Sequence, residues 1–240
     1  MFGLLHKILY RLLPLKGYLR VVSRLFFLWH GLGLGRRSAA LEYVYHLPRL
    51  VREGDVCIDI GANLGYYART LSKLVGPSGR VYAVEPVAPI REVMCRNLRR
   101  CANTRIIPYA LGGRNRPVWL ANDTVRKIGY LGTGRNSVKE SSGGNGLEFP
   151  AEMRRGSELF GGLERLDFIK CDVEGYEEHI MSEMLSVLER HHPTVLIETE
   201  DPDVVRLFTE LGYAGFTLDN GREVPLADGC RKDIIFRYQK

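Results

Sequence analysis

The sequence predicts an α/β fold: a mostly parallel sheet of seven strands, helices on both faces, and a reversed strand at the end. Three observations predict it. Strand and helix signals alternate from residue 56 onward, as a parallel sheet with crossover helices requires. A short apolar strand runs into a glycine-bearing turn, Asp59-Ile-Gly61-Ala62-Asn63-Leu-Gly65, and the next strand ends in a carboxylate, Glu85. The last two strand signals are joined by Asp219–Asp233, a connection with turn residues and no helical period, which makes them antiparallel neighbours.

The elements follow in order. Val56–Ile60 is the first strand, and Leu64, Tyr67, Ala68, Leu71, Leu74 and Val75 then repeat at helical spacing until Gly76-Pro77-Ser78-Gly79 ends the helix. Arg80–Val84 is the second strand, and a helix starting near Pro89 turns Ile90, Val93, Met94 and Leu98 inward. Thr104–Pro108 is the third and Phe168–Asp172 the fourth, followed by a helix with Ile180, Met181, Met184, Leu185 and Leu188 on one face. Thr194–Glu198, a helix across Asp203–Leu211, a strand near Phe216–Leu218 and a terminal strand Ile234–Tyr238 complete the sheet.

Between Ala110 and Arg165 the periodicity fails, apart from a hairpin signal near Val118–Ala121 and a glycine- and serine-rich stretch from Gly129 to Gly146. Its position between the third and fourth strands places this insertion over the ligand mouth as a mobile substrate loop; a plain surface insertion is the other reading.

At 240 residues the chain suffices for one sizeable core. Cys57, Cys95, Cys101, Cys171 and Cys230 are odd in number and lack metal-ligand spacing, so they read as buried thiols in a reducing, cytoplasmic compartment. The charge is segregated. Residues 1–41 hold seven Lys and Arg side chains and no acid, and subtracting that +7 from the whole-chain +6 leaves −1 for the other 199 residues. A body so close to neutral argues against a broad nucleic-acid surface.

The chain therefore divides into a basic amphipathic helical extension, 1–41, and a body, 42–240. The extension reads as two helices separated around Pro14 and Gly17. Leu4, Leu5, Ile8, Leu9, Leu12 and Leu13 form a stripe in the first; Leu19, Val22, Leu25, Phe26 and Trp29 lie opposite Arg20 and Arg24 in the second. An apolar stripe with a cationic flank suits peripheral contact with a membrane surface through residues 1–35, and equally suits packing on the body or a dimer surface. The longest uncharged run, Leu25 to Gly35, is too short to span a bilayer, and charges interrupt the apolar region that a secretory signal needs.

The turn supplies the chemistry. Gly61 can take the positive φ required at the strand's carboxyl edge, Gly65 lets the next helix sit close to the sheet, and Asn63 is the non-glycine type best suited to left-handed φ. Glu85 can accept charge-assisted hydrogen bonds from two ribose hydroxyls. A dinucleotide turn has the form G-x-G-x-x-G, whereas Asp59 precedes the glycines here and the turn reads D-x-G-x-N-x-G.

Three segments in order carry a more specific likeness: Asp59-Ile-Gly-Ala-Asn-Leu-Gly-Tyr-Tyr67, Glu85-Pro86 and Lys170-Cys-Asp172-Val-Glu174-Gly175-Tyr-Glu177. With Leu196-Ile-Glu198 at the end of the fifth strand, the region from Val56 to Glu198 resembles the FkbM family of S-adenosylmethionine-dependent methyltransferases. The family's threonine-leucine-aspartate ahead of the fourth strand has no counterpart in the segment from Ser157 to Leu163. The resemblance implies a Rossmann-like class I methyltransferase fold, S-adenosyl-L-methionine as cofactor, and O-methylation of a hydroxyl on a sugar, glycolipid or secondary metabolite, a small-molecule or glycan acceptor and not nucleic acid.

It implies cofactor contacts at Asp59, Gly61, Ala62, Asn63, Gly65, Tyr67, Glu85 and Asp172, and a catalytic set of Asp172, Glu174 and Lys170. Lys170 alternates with Asp172 on one strand face, where it pairs with a carboxylate or touches substrate. No histidine or cysteine cluster supports a metal, although Asp172, Glu174 and Glu198 are carboxylates of the right type. Two rivals remain open. A nucleic-acid methyltransferase of the same fold lacks support from the near-neutral body and from any N/D-P-P-Y/F motif. A non-catalytic membrane- or partner-binding module would not need Asp59, Gly61, Gly65 and Glu85 intact.

Overall fold

A computed structural model describes residues 2–34, 41–144, 146–227 and 233–239. Arg36, Arg37, Cys230 and part of the Asp219–Asp233 connection lie outside the described residues.

The chain opens with α1 (Phe2–Leu12) and α2 (Leu15–Gly31), parted at Pro14, whose missing N–H and extended ψ break the helix. A short α3 (Glu42–His46) continues into a 3-10 turn at Leu47–Arg49. Then come β1 (Val56–Ile60), α4 (Tyr66–Val75), β2 (Arg80–Val84), α5 (Ala88–Asn97) and β3 (Thr104–Ile107). The insertion supplies β4 (Ala110–Leu111), β5 (Arg116–Asn122), α6 (Thr124–Ile128), β6 (Ser137–Lys139), β7 (Leu147–Arg154) and α7 (Gly156–Phe160). The remainder is β8 (Phe168–Cys171), α8 (Glu177–Glu183), α9 (Leu185–His191), β9 (Thr194–Glu198), α10 (Pro202–Glu210), β10 (Tyr213–Asp219), β11 (Arg222–Pro225) and β12 (Asp233–Tyr238).

The main sheet has the order β11-β10-β12-β9-β8-β1-β2-β3. Strands β3, β2, β1, β8 and β9 run parallel, and β12 is antiparallel to both neighbours, β9 and β10. The seven expected strands are therefore present with the reversed last strand. An eighth, β11, extends the edge through the hairpin turn Asn220-Gly221, both at positive φ.

Side chains of the central strands alternate between two cores. Ile58, Ile60, Ile169 and Cys171 pack with α8, α9 and α10, whereas Cys57 and Phe168 pack with α4 and the segment around Leu47. Every residue of β8 is buried, as a strand covered on both faces must be, and Lys170 is its one charged member.

The insertion is not an irregular loop. It folds as a second sheet, β4-β7-β5-β6, in which β5 and β7 pair from Arg116↔Met153 to Asn122↔Leu147. Leu147, Phe149, Ala151 and Met153 of β7 turn to the core and alternate with Glu148, Pro150, Glu152 and Arg154, a period-two pattern that the central Pro150 disguises as a break in the strand. The helix after the fourth strand is likewise two helices, broken at Met184.

The leader packs through one side. Tyr18 and Leu19 are fully buried in a cluster with Leu64, Ile90, Val93 and Leu131, and the Tyr18 hydroxyl donates to the Leu131 carbonyl at 3.0 Å. Among the described residues no helix is long and apolar enough to cross a membrane. Cys57 and Cys171 are buried as expected; Cys95 is exposed and Cys101 half-buried, because α5 and the turn after it face outward there.

Candidate active site

The site lies where β1, β2 and β8 end. Gly61 and Ala62 both donate their amides to the Val84 carbonyl, at 3.1 and 2.9 Å, tying the turn to the end of β2. At Gly61, φ is +76°, and an added Cβ would stand 1.9 Å from the Asp172 carbonyl oxygen, so no side chain fits. Asn63 has φ 53°, the left-handed conformation expected for it. Gly65, at φ +87°, leaves room for Leu98 and Met94, whose side chains would lie 3.2 and 3.3 Å from a Cβ. The close approach is thus to α5, not to the sheet.

Glu85 is buried, and each of its carboxylate oxygens is held by a backbone amide: Asn63 donates to Oε2 at 3.0 Å and Val87 to Oε1 at 2.8 Å. Burial pushes its carboxyl up to about 7, against the opposing pull of those two amides and Arg91. The Arg91 guanidinium also donates to the Glu85 and Pro86 carbonyls, fixing the start of α5.

On β8, Lys170 joins three partners. Its Nζ lies 3.0 Å from Asp172 Oδ2, 3.9 Å from Asp59 Oδ1 and 5.0 Å from the Tyr67 ring centre. Burial alone would lower its pKa, but Asp172 and Asp59 together outweigh burial and hold the ammonium above its ordinary value. Asp59, fully buried, is pushed up to about 6 by desolvation, with Lys170 acting in the opposite sense. After β8 the chain turns through Glu174 and Gly175, at φ 58° and 92°. Glu177 Oε1 accepts from the Val173 and Gly175 amides at 3.1 and 3.2 Å, clamping that turn.

These elements enclose a cleft lined by Gly61, Asn63, Glu85, Asp172 and Glu174, together with Tyr109 and Tyr176. The insertion closes it with Thr133, Gly134 and Asn136, and a Cβ on Gly134 would lie 3.5 Å from Asn63 Nδ2 and 3.9 Å from Glu174 Oε1. Buried Asn122 pins that cover by donating from Nδ2 to the Gly132 carbonyl and to Asn136 Oδ1, at 2.9 and 3.0 Å. A second, open cleft shares Asp172 and Glu174 and adds Glu177, Glu198, Glu200 and Asp201. Among the described residues no group of His, Cys, Asp and Glu has metal-holding geometry.

Five of the sequence-derived residues thus meet in one cleft. Asp59, Ala62, Gly65, Tyr67 and Lys170 do not line it; they support it from behind. Sequence reasoning missed Tyr109, which no motif marks, whereas it placed the insertion over the mouth, where Thr133, Gly134 and Asn136 lie. It quoted Tyr176 and Glu177 within the strand-four motif without assigning them a task.

A mostly parallel sheet with a reversed last strand, a glycine turn after β1 and a carboxylate after β2 defines a Rossmann-like class I methyltransferase fold. A model of the methyltransferase FkbM domain matches residues 59–217, about two thirds of the chain. The chain belongs to the FkbM family of S-adenosylmethionine-dependent methyltransferases. It is similar to protein-L-isoaspartate O-methyltransferase of Methanothrix thermoacetophila, 42% identical over 83 residues, covering 34% of this chain and 39% of that protein. The likeness to the enzyme of the same name from Methanosarcina mazei is 34% over 109 residues, covering 45% and 41%. The chain spans about two fifths of the length of these relatives. In fold it resembles the FkbM methyltransferase of Methylobacillus flagellatus, with a TM-score of 0.51 and 14% identity, covering 97% of this chain and 58% of that one.

Proposed function

We propose that the chain is an S-adenosylmethionine-dependent O-methyltransferase whose acceptor is a hydroxyl of a sugar, glycolipid or similar small metabolite. The observation that carries this reading is the meeting of Asn63, Glu85, Asp172 and Glu174 in one cleft at the strand ends. When bound, S-adenosylmethionine supplies a methyl group already activated on a sulfonium.

The donor set suits that cofactor. Each Glu85 oxygen is engaged by one amide and keeps a lone pair for a ribose hydroxyl, and Asn63 Oδ1 is shut from solvent with no hydrogen-bond partner. Asp172, 3.0 Å from the Lys170 ammonium, keeps its outer face in the cleft, where a cationic amino-acid tail can approach. Glu174, common to both clefts, holds and deprotonates the acceptor hydroxyl as it attacks in line.

Charge supports this acceptor class. The open cleft carries six carboxylates, which bind vicinal hydroxyls well and repel phosphates. The named relatives act on isoaspartate, a carboxylate, and this mouth disfavours an anionic acceptor of that kind. Free thiols at Cys57, Cys95, Cys101 and Cys171 support a reducing, cytoplasmic setting.

Calorimetric titration with S-adenosylmethionine and S-adenosylhomocysteine, beside a Gly61→Arg control and with NAD as competitor, tests the cofactor. Micromolar binding abolished by the substitution is expected; no binding, or preference for NAD, overturns the reading. Methyl transfer to a panel of sugars and hydroxylated metabolites then tests the acceptor, and labelling of nucleic acid alone would refute a hydroxyl-bearing small molecule.

A further inference from the structure

Of the nine large apolar side chains exposed among the described residues, eight lie in the first 34: Leu4, Leu5, Ile8, Leu12, Leu25, Leu28, Leu32 and Leu34. They are not left over from a poorly packed leader, because α2 buries Tyr18, Leu19 and Ser23 on its inner side. Leu4, Leu5, Ile8 and Leu12 share one arc of α1 beside exposed Lys7 and Arg11. Leu25 and Leu28 of α2 and Leu32, which caps its C-terminus, continue one arc beside exposed Arg20 and Arg24. Leu12, Leu28 and Leu32 are 76%, 60% and 65% exposed, far beyond scattered surface leucines.

Arg24 continues this arc into a broad cleft of about 790 Å³ between α2, α4 and α5. Six arginines and one lysine line it, Arg69, Lys73, Arg96, Arg99 and Arg100 among them, and no acid does. Among the described residues none of these cations has a carboxylate partner, and Arg69 instead rests over the Phe27 ring at 4.5 Å. Six of the seven belong to the body, whose net charge of −1 conceals them.

We infer that this face docks on a phospholipid bilayer with anionic headgroups, the leucine arcs entering the interface and the cationic cleft receiving lipid phosphates. Both halves of the surface are needed to choose the partner. Nucleic acid would satisfy the arginines and leave the leucines in water, whereas a second copy of the chain would bring two cation-rich faces together. An anionic bilayer satisfies both at once, each cation near the surface adding about fivefold to partitioning. The inference is independent of the acceptor chemistry, since none of the residues it uses lines the active-site cleft.

Flotation of the intact chain with phosphatidylcholine vesicles, with and without phosphatidylglycerol, tests it. Deleting the leader is unsuitable because Tyr18 and Leu19 complete the core. Two exposed pairs are changed instead, Arg96→Glu/Arg100→Glu and Leu28→Ser/Leu32→Ser, and thermal melting is followed to show that each folds. Binding should require phosphatidylglycerol, weaken as salt rises, and fall more than about twentyfold in the arginine pair. The leucine pair should lose binding even at low salt. No flotation, flotation indifferent to both pairs, salt-sensitive capture of an RNA oligonucleotide without vesicle binding, or a stable dimer that the leucine pair dissociates would each overturn the inference.

Discussion

Asn63 and Glu85 are joined by a 3.0 Å hydrogen bond from backbone amide to Oε2, so the glycine turn and the carboxylate after β2 form one unit. Burial holds that carboxyl at about 7, and two ribose hydroxyls donating to it would favour its ionised form. Affinity for S-adenosylhomocysteine should therefore rise with pH through about 7, with proton release detectable by calorimetry in buffers of different ionisation enthalpy. Glu85→Ala should cost on the order of 3 kcal/mol of binding, above a hundredfold in Kd. Equal affinity at pH 6 and 8, and in the variant, would remove Glu85 from the cofactor site.

Glu223 on β11 locks the antiparallel edge. It accepts two hydrogen bonds from Arg237, at 2.9 and 2.8 Å, and faces His46 Nε2 at 2.7 Å. The Arg237 hydrogen bonds, with help from His46, depress its carboxyl to about 2. A depressed acid stabilises the fold above its unfolded value and loses that contribution as pH falls toward the folded one. Glu223→Gln should thus lower unfolding free energy by about 1–2 kcal/mol at pH 7, with the difference shrinking between pH 4.5 and 2 in urea titrations. A penalty independent of pH would indicate that packing, not charge, is lost.

Lys170 neutralises carboxylates on both sides, and Asp59 beside it is wholly buried. Lys170→Met should cost about 3–5 kcal/mol, because it leaves a buried charge uncompensated. Since Asp59 titrates near 6 even with its partner, the penalty should be smaller at pH 5 than at pH 8, and adding Asp59→Asn should recover part of it. Chemical denaturation at the two pH values measures both effects.

Two glycines at positive φ separate backbone strain from collision. A Cβ at Gly61 would strike the Asp172 carbonyl, whereas at Gly175, φ +92°, it would meet nothing within 4 Å. Gly175→Ala should lose only the left-handed penalty of about 1–2 kcal/mol. Gly61→Ala should lose more and also abolish S-adenosylhomocysteine binding. Thermal melting of both variants decides, and similar losses would mean that β1 and β8 can part.

The parallel half of the fold was legible because each strand there is apolar, short and followed by a turn or helix with its own signal. The glycine turn and Glu85 were legible because ligand chemistry restricts residue type at those positions. The eighth strand carried a readable mark, Asn220-Gly221, in a connection otherwise dominated by polar residues. The second sheet was legible only as the hairpin signal at Val118–Ala121: Leu147, Phe149, Ala151 and Met153 do alternate with Glu148, Pro150, Glu152 and Arg154, but a proline at the centre of β7 and the glycine-rich stretch before it speak against a paired strand. Summed charge misled as well. Acids around the mouth and arginines behind α5 cancel in the total while standing on different faces. Composition averages over the geometry that separates them.

Asn122 controls the cover over the cleft. Besides holding Gly132 and Asn136, its Oδ1 accepts from the Thr124 amide at 3.1 Å, and Thr124 Oγ1 in turn accepts from the Gly132 amide at 2.8 Å. Replacing this buried hub with alanine leaves several groups unpaired, at about 1–3 kcal/mol, most of it local to residues 122–136. Hydrogen exchange should therefore accelerate in the 132–136 segment of Asn122→Ala while β1, β2 and β8 keep their protection. If the cover closes on bound cofactor, S-adenosylhomocysteine should slow exchange of that segment in the original chain and much less in the variant, whose cofactor should also dissociate faster. Exchange in 132–136 that ignores ligand in both proteins would show that these residues border the cleft without gating it.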